Sequence, residues 1–119
     1  MSKVFIAYKS DITEGQAKGF DPLNQGRDSL FIVYKNGEYY GYKDICPHYG
    51  DTTLPWKKDE YLDSKSDQIV CAAHGALFEI STGICTQGPC KNQALTNIEL
   101  DIHQHNEIWV DITTIKEFS

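Results

Sequence analysis

Two short phrases constrain this chain more than anything else in it: Cys46-Pro47-His48 and Cys71-Ala72-Ala73-His74. Each offers one thiolate and one imidazole in the same order, and no other part of the sequence pairs these residue types so tightly. Both are transition-metal ligands. Between His48 and Cys71 lie 22 residues, so a fold that uses both phrases must bring two distant loops to one place. A metal group gripped from both would act as a cross-link, since closing a long loop restricts the unfolded chain.

The 119 residues suffice for one domain, 1–119, with a modest core and little stability to spare. Net charge is −6 with no basic block, which argues against a nucleic-acid partner. The N-terminal run Met1–Lys9 is too short in apolar residues for a signal peptide, and no later stretch approaches a membrane span. A cytoplasmic residence with no membrane partner is expected, where the four cysteines stay reduced or metal-bound.

Short β-like runs dominate: Val4–Tyr8, Leu30–Tyr34, Tyr39–Tyr42, Gln68–Ala72, Ala76–Ile80, Ile98–Ile102 and Ile108–Ile112. They are rich in Ile, Val, Tyr and Phe and are bounded by Gly, Asn, Asp and Ser. Asn36-Gly37 between two of them predicts a two-residue hairpin, because a type I′ turn needs positive φ at both central positions. Thr82-Gly83 and His103–Asn106 read as further turns, and Asp11–Lys18 supplies one helical turn at most. The expected fold is all-β, an antiparallel sandwich or barrel of about seven or more strands. Both Cys/His phrases fall at strand ends, where two loops at one end of a β-unit can meet.

Two Cys and two His in matched loops are the ligand set of a Rieske-type [2Fe–2S] cluster, in which two His replace two Cys on one iron. Two ferric ions, two sulfides and two thiolates sum to zero. Reduction then takes the site from 0 to −1, easier than the −2 to −3 of a four-thiolate cluster. Rieske centres as a class accordingly begin near about −150 mV, against about −400 mV for plant-type centres. Cys46 and Cys71 would hold the buried iron, and His48 and His74 the outer one. Structural zinc is the alternative, since Cys₂His₂ also satisfies a tetrahedral ion. Zinc modules usually pair Cys with Cys and His with His, a distribution this chain lacks.

Further residues carry a resemblance. Gly75 follows the second His in His74-Gly75-Ala76-Leu77-Phe78, and Thr82-Gly83 precedes Gly88-Pro89-Cys90. Over roughly Tyr42 to Leu95 the chain resembles the small soluble Rieske ferredoxins, the ferredoxin components of ring-hydroxylating dioxygenase systems. The resemblance implies a Rieske-like fold whose cluster-binding part, roughly 42–95, is formed by two loops, with Gly88-Pro89 as a loop covering one [2Fe–2S] cluster. It also implies a one-electron carrier rather than an enzyme, taking electrons from a flavin-dependent reductase and passing them to a terminal oxygenase. A cluster-bearing accessory subunit, like the small subunit of nitrite reductase, and a zinc-binding interaction module are the other readings.

The chain departs from the family in three places. The 49–70 segment is several residues longer than in compact ferredoxins and includes Trp56, Lys57, Lys58 and Tyr61. High-potential relatives join their ligand loops by a disulfide, and the matching positions here are Asp51 and Ala73. Those relatives also place hydroxyls where this chain has Ala76 and Phe78, so a potential at the low end of the range is expected. Cys85 and Cys90 are expected as thiols, and His103 and His105 as solvated turn residues. No nucleophile–base pair or paired carboxylates suggest catalysis.

Overall fold

Leu30, Phe31, Ile32 and Val33 are apolar at consecutive positions rather than alternating ones, and all four are fully buried. A strand with that pattern is covered on both faces, and the tertiary arrangement supplies both covers. The computed structural model describes residues 3–22, 24, 26, 28–44, 61–62, 68–71, 76–88 and 93–111, with Cys71 described by its backbone. In these residues the order is β1 (Lys3–Tyr8), a 3-10 turn (Lys9–Asp11), β2 (Gln16–Phe20), β3 (Leu30–Lys35) and β4 (Glu38–Lys43). Then come β5 (Gln68–Cys71), β6 (Ala76–Glu79), β7 (Cys85–Gln87), β8 (Asp101–Ile102) and β9 (Glu107–Asp111).

The strands form three antiparallel three-stranded sheets, ordered β1-β9-β8, β2-β3-β4 and β5-β6-β7. Leu30 and Ile32 face one way and pack with Ile12, Ile98, Ile108 and Val110. Phe31 and Val33 face the other and pack with Tyr42, Tyr61, Ile69, Ala76, Phe78 and Leu95. The middle sheet is therefore sandwiched by the other two. Of the sandwich-or-barrel expectation the sandwich holds, and no described sheet closes on itself.

The β3–β4 hairpin turns at Asn36 (φ 54°) and Gly37 (φ 80°), the two positive values a type I′ turn requires. Glu14 accepts hydrogen bonds from both turn amides, Asn36 N at 2.9 Å and Gly37 N at 3.1 Å. Those amides, favouring the ionised form, hold the Glu14 carboxyl below its ordinary pKa. His103–Asn106 likewise turns between β8 and β9, with Asn106 at φ 62°.

Three readings of the sequence need correction. The helical turn falls at Lys9–Asp11, and Gln16–Lys18 belongs to β2, pairing with β3 from Gln16↔Tyr34 to Phe20↔Leu30. Ala, Lys and Gly are poor strand formers, so only the long-range pairing makes this segment a strand. β7 escaped notice because Cys-Thr-Gln is short and polar at two of three positions. Ile98–Ile102 is not one strand: Asn97 bridges Tyr42 and Ile98 N donates to Gly41 O at 2.8 Å, and only Asp101–Ile102 pairs with β9. That stretch changes partner midway, which a local pattern does not reveal.

Candidate metal centre

The β5–β6 hairpin carries the second phrase. Its ladder runs Ile69↔Phe78, Val70↔Leu77 and Cys71↔Ala76, so the four residues 72–75 link Cys71 to the strand opposite it. Ala76 and Phe78 share the buried face of β6 and neither side chain has a hydroxyl. β7 pairs with β6 through Leu77↔Gln87 and Phe78↔Cys85, with an irregularity between the two pairs. Gly88 follows at φ 105°, and a Cβ there would lie 2.8 Å from Ala76 Cα. Only glycine lets the backbone pass so close. The Gly88-Pro89-Cys90 phrase thus sets out from directly against the mouth of the Cys71–Ala76 hairpin.

The first phrase follows β4. Lys43 N donates to Thr96 O at 2.8 Å and Asp44 N to Ser29 O at 3.0 Å, which fixes the backbone two residues before Cys46. Asp44 is 2% exposed and accepts a hydrogen bond from the Tyr61 hydroxyl at 2.7 Å. Tyr61 is itself fully buried, its ring stacked on Phe31 at 4.2 Å with an angle of 12°. Its carbonyl accepts from Val70 N at 2.8 Å, and Leu62 bridges Ile69. One residue therefore touches both the strand end leading to Cys46 and the strand leading to Cys71.

Tyr42 braces the same layer from below. Its hydroxyl donates to Ile80 O at 2.6 Å, and burial, with Tyr40 and Glu79 nearby, pushes its pKa up to about 12. Cys85 is a buried thiol that donates to Gln87 O at 3.3 Å, consistent with a packing role. His103 and His105 are exposed, as expected of turn residues. His103 Nε2 meets Asp101 Oδ2 at 3.0 Å, and its ring stacks on Trp109. Among the described residues, no three His, Cys, Asp or Glu side chains form a metal-binding group.

Of the four expected ligands, Cys71 is placed by its backbone at the end of β5, while Cys46, His48 and His74 lie outside the described residues. So do Asp51, Trp56, Lys57, Lys58, Ala73, Gly75, Pro89 and Cys90. Sequence reasoning noted Tyr61 only as part of the lengthened 49–70 segment and passed over Asp44. Nothing local marks either of them, because the contact that joins them spans 17 residues and is made only in the fold.

The sequence model of the Rieske [2Fe-2S] domain matches residues 2–113. The chain belongs to the Rieske family. No curated protein matches it. Among solved structures it is similar to the ferredoxin of carbazole 1,9a-dioxygenase from Nocardioides aromaticivorans IC177. That pair shares 22% identity with a TM-score of 0.68, covering 92% of this chain and 97% of the other. A Sphingomonas yanoikuyae B1 ferredoxin gives 22% identity and a TM-score of 0.69, over 92% and 98%. A complex of reduced oxygenase and oxidized ferredoxin in carbazole 1,9a-dioxygenase gives 23% and 0.68, over 92% of both chains.

A Rieske chain carries one [2Fe–2S] cluster, and the framework around the candidate site fits that group. The hairpin ends on a cysteine, and the four-residue link to Ala76 includes a histidine. Gly88, which opens the Gly88-Pro89-Cys90 phrase, lies against Ala76 at the end of the β5–β6 ladder. Thiolate and imidazole are the donor types such a cluster takes. Among the described residues, no helix is long and apolar enough to cross a membrane.

Proposed function

We propose that Cys46 and Cys71 ligate the inner iron and His48 and His74 the outer iron. The chain then serves as a one-electron carrier between a flavin-dependent reductase and a terminal oxygenase, without catalysing a reaction itself. The observation that carries this reading is the fold shared with two ferredoxins over 92% of this chain and 97–98% of theirs. Residues 1–119 act as a single Rieske domain in the cytoplasm, with 42–95 as its cluster-binding part.

The cluster supplies reversible one-electron transfer. The protein's part is to bury the thiolate side and to leave the imidazole side as the contact point, since electron transfer falls steeply with distance. The docking footprint comprises the His48 and His74 loops and the Pro89 loop. With net charge −6, the chain suits a basic patch on its partner, locally opposed by Lys57 and Lys58.

Iron and acid-labile sulfide analysis with low-temperature EPR of the reduced protein tests the assignment, and stoichiometric zinc without iron ends it. Stopped-flow reduction by a candidate reductase tests the docking. The rate is expected to fall as salt rises, and Pro89→Asp is expected to slow it with the cluster intact. A rate indifferent to Pro89→Asp removes the docking face from the proposal.

A further inference from the structure

Tyr61 stands within the lengthened segment between the two Cys/His phrases, yet its side chain is fully buried and makes directed contacts. The ring lies on Phe31, the carbonyl takes the amide of Val70, and the hydroxyl donates to the Asp44 carboxylate at 2.7 Å. The Asp28 carboxylate and the same hydroxyl both fill the space over Gly19, where an added Cβ would collide with them. A buried carboxylate is costly unless hydrogen-bonded, so the Tyr61 hydroxyl does for Asp44 what water would otherwise do.

Asp44 stands two residues before Cys46 and Val70 one residue before Cys71. We infer that Tyr61 is a positioning residue for the cluster, setting the spacing of the two cysteine-bearing loops through Asp44 on one side and β5 on the other. The inference rests on the ligand assignment proposed above. Partners just outside a ligand shell orient the ligands, and losing one typically weakens metal retention about 10–100-fold. A phenol suits this role because its rigid ring is locked by stacking, so its hydroxyl has one place to be.

The test uses the full chain loaded with its cluster, following loss of visible absorbance below the unfolding temperature and the EPR line shape after reduction. Tyr61→Phe keeps the stacked ring and the Val70 bond and removes only the hydroxyl. Asp44→Ala removes the acceptor, whereas Asp44→Asn keeps an acceptor oxygen and removes the charge. Tyr61→Phe and Asp44→Ala are expected to lose the cluster about tenfold faster with a broadened line shape, the lower end of the outer-shell range. Asp44→Asn should stay near the parent, and the double variant should be no worse than either single one.

Ile108→Val, in the opposite core, serves as a control that lowers stability and should leave cluster loss unchanged. Parental loss rates in Tyr61→Phe and Asp44→Ala overturn the inference. So does Asn behaving like Ala, which makes the effect one of charge, or Ile108→Val losing the cluster as fast as Tyr61→Phe. Should Tyr61→Phe fail to fold, the contrast between Asp44→Asn and Asp44→Ala decides. A parent chain without iron overturns the ligand assignment, and this inference with it.

Discussion

The two cores on either side of β3 differ in kind. In the one facing β1 and β9 the buried residues are all aliphatic, Ile12, Leu30, Ile32, Ile98, Ile108 and Val110, with Phe20, Tyr34 and Tyr39 packed half-buried against them. The one facing the β5–β6–β7 sheet is built on Phe31, Tyr42, Tyr61 and Phe78, with Cys85 among them. Aliphatic packing is non-directional and holds elements together by area and volume. Each buried phenol adds a directed bond, Tyr42 to Ile80 O and Tyr61 to Asp44. The buried side chains of the first core make no hydrogen bonds of their own, whereas those of the second join separate segments by directed ones. The Tyr61 bonds lie beside the strand ends that precede Cys46 and Cys71.

The sharpest way to break the comparison is to remove the proposed ligands. Cys46→Ser, His48→Ala, Cys71→Ser and His74→Ala should each abolish the reduced EPR signal, while Cys85→Ser and Cys90→Ser should spare it. Cys85 lies in the same core as the tyrosines, so a signal lost with Cys85→Ser would mean this core reaches the irons directly.

Next in size is the aliphatic side. Ile108→Ala should cost about 2–5 kcal/mol in denaturant unfolding, as large-to-small changes in packed cores do, with the EPR line shape unchanged. A changed line shape would show that this core also positions the site.

Tyr42→Phe, which removes one buried hydrogen bond, should cost about 1 kcal/mol. It also has a pH signature. The Tyr42 phenol titrates near 12 in the folded chain, above its ordinary value of 10.0, so folding favours the protonated form. Its contribution is fully present below about pH 10 and is lost as pH rises toward about 12. Denaturation midpoints across that window should fall less steeply in Tyr42→Phe than in the parent.

The smallest effect is expected at Ala76. It and Phe78 are buried and neither can donate a side-chain hydrogen bond, at positions where the family resemblance leads us to expect hydroxyls in high-potential relatives. The parent midpoint should therefore lie near the low end of the Rieske range, about −150 mV. Ala76→Ser should raise it, read by protein-film voltammetry with stability little changed. A parent midpoint well above zero would overturn this expectation.

The sequence by itself determined a good deal. The β-like runs Leu30–Tyr34 and Ala76–Ile80 and the Asn36-Gly37 turn are local patterns, and each was legible because residue propensity and backbone sterics act over a few residues. The Cys/His phrases were legible for the same reason, as ligand types and spacings are written in consecutive residues. What only the tertiary structure decided is everything that depends on a partner far along the chain. β2 is a strand because β3 lies beside it, and the stretch from Asn97 to Ile102 divides because it changes neighbours. Gly88 must be glycine because Ala76 lies beneath it. Tyr61 is a buried tether, where the sequence around it reads as polar loop, because Asp44 and Phe31 meet it across 17 and 30 residues. Burial and hydrogen-bond satisfaction are properties of the surroundings a residue ends in, and those exist only after the distant segments have come together.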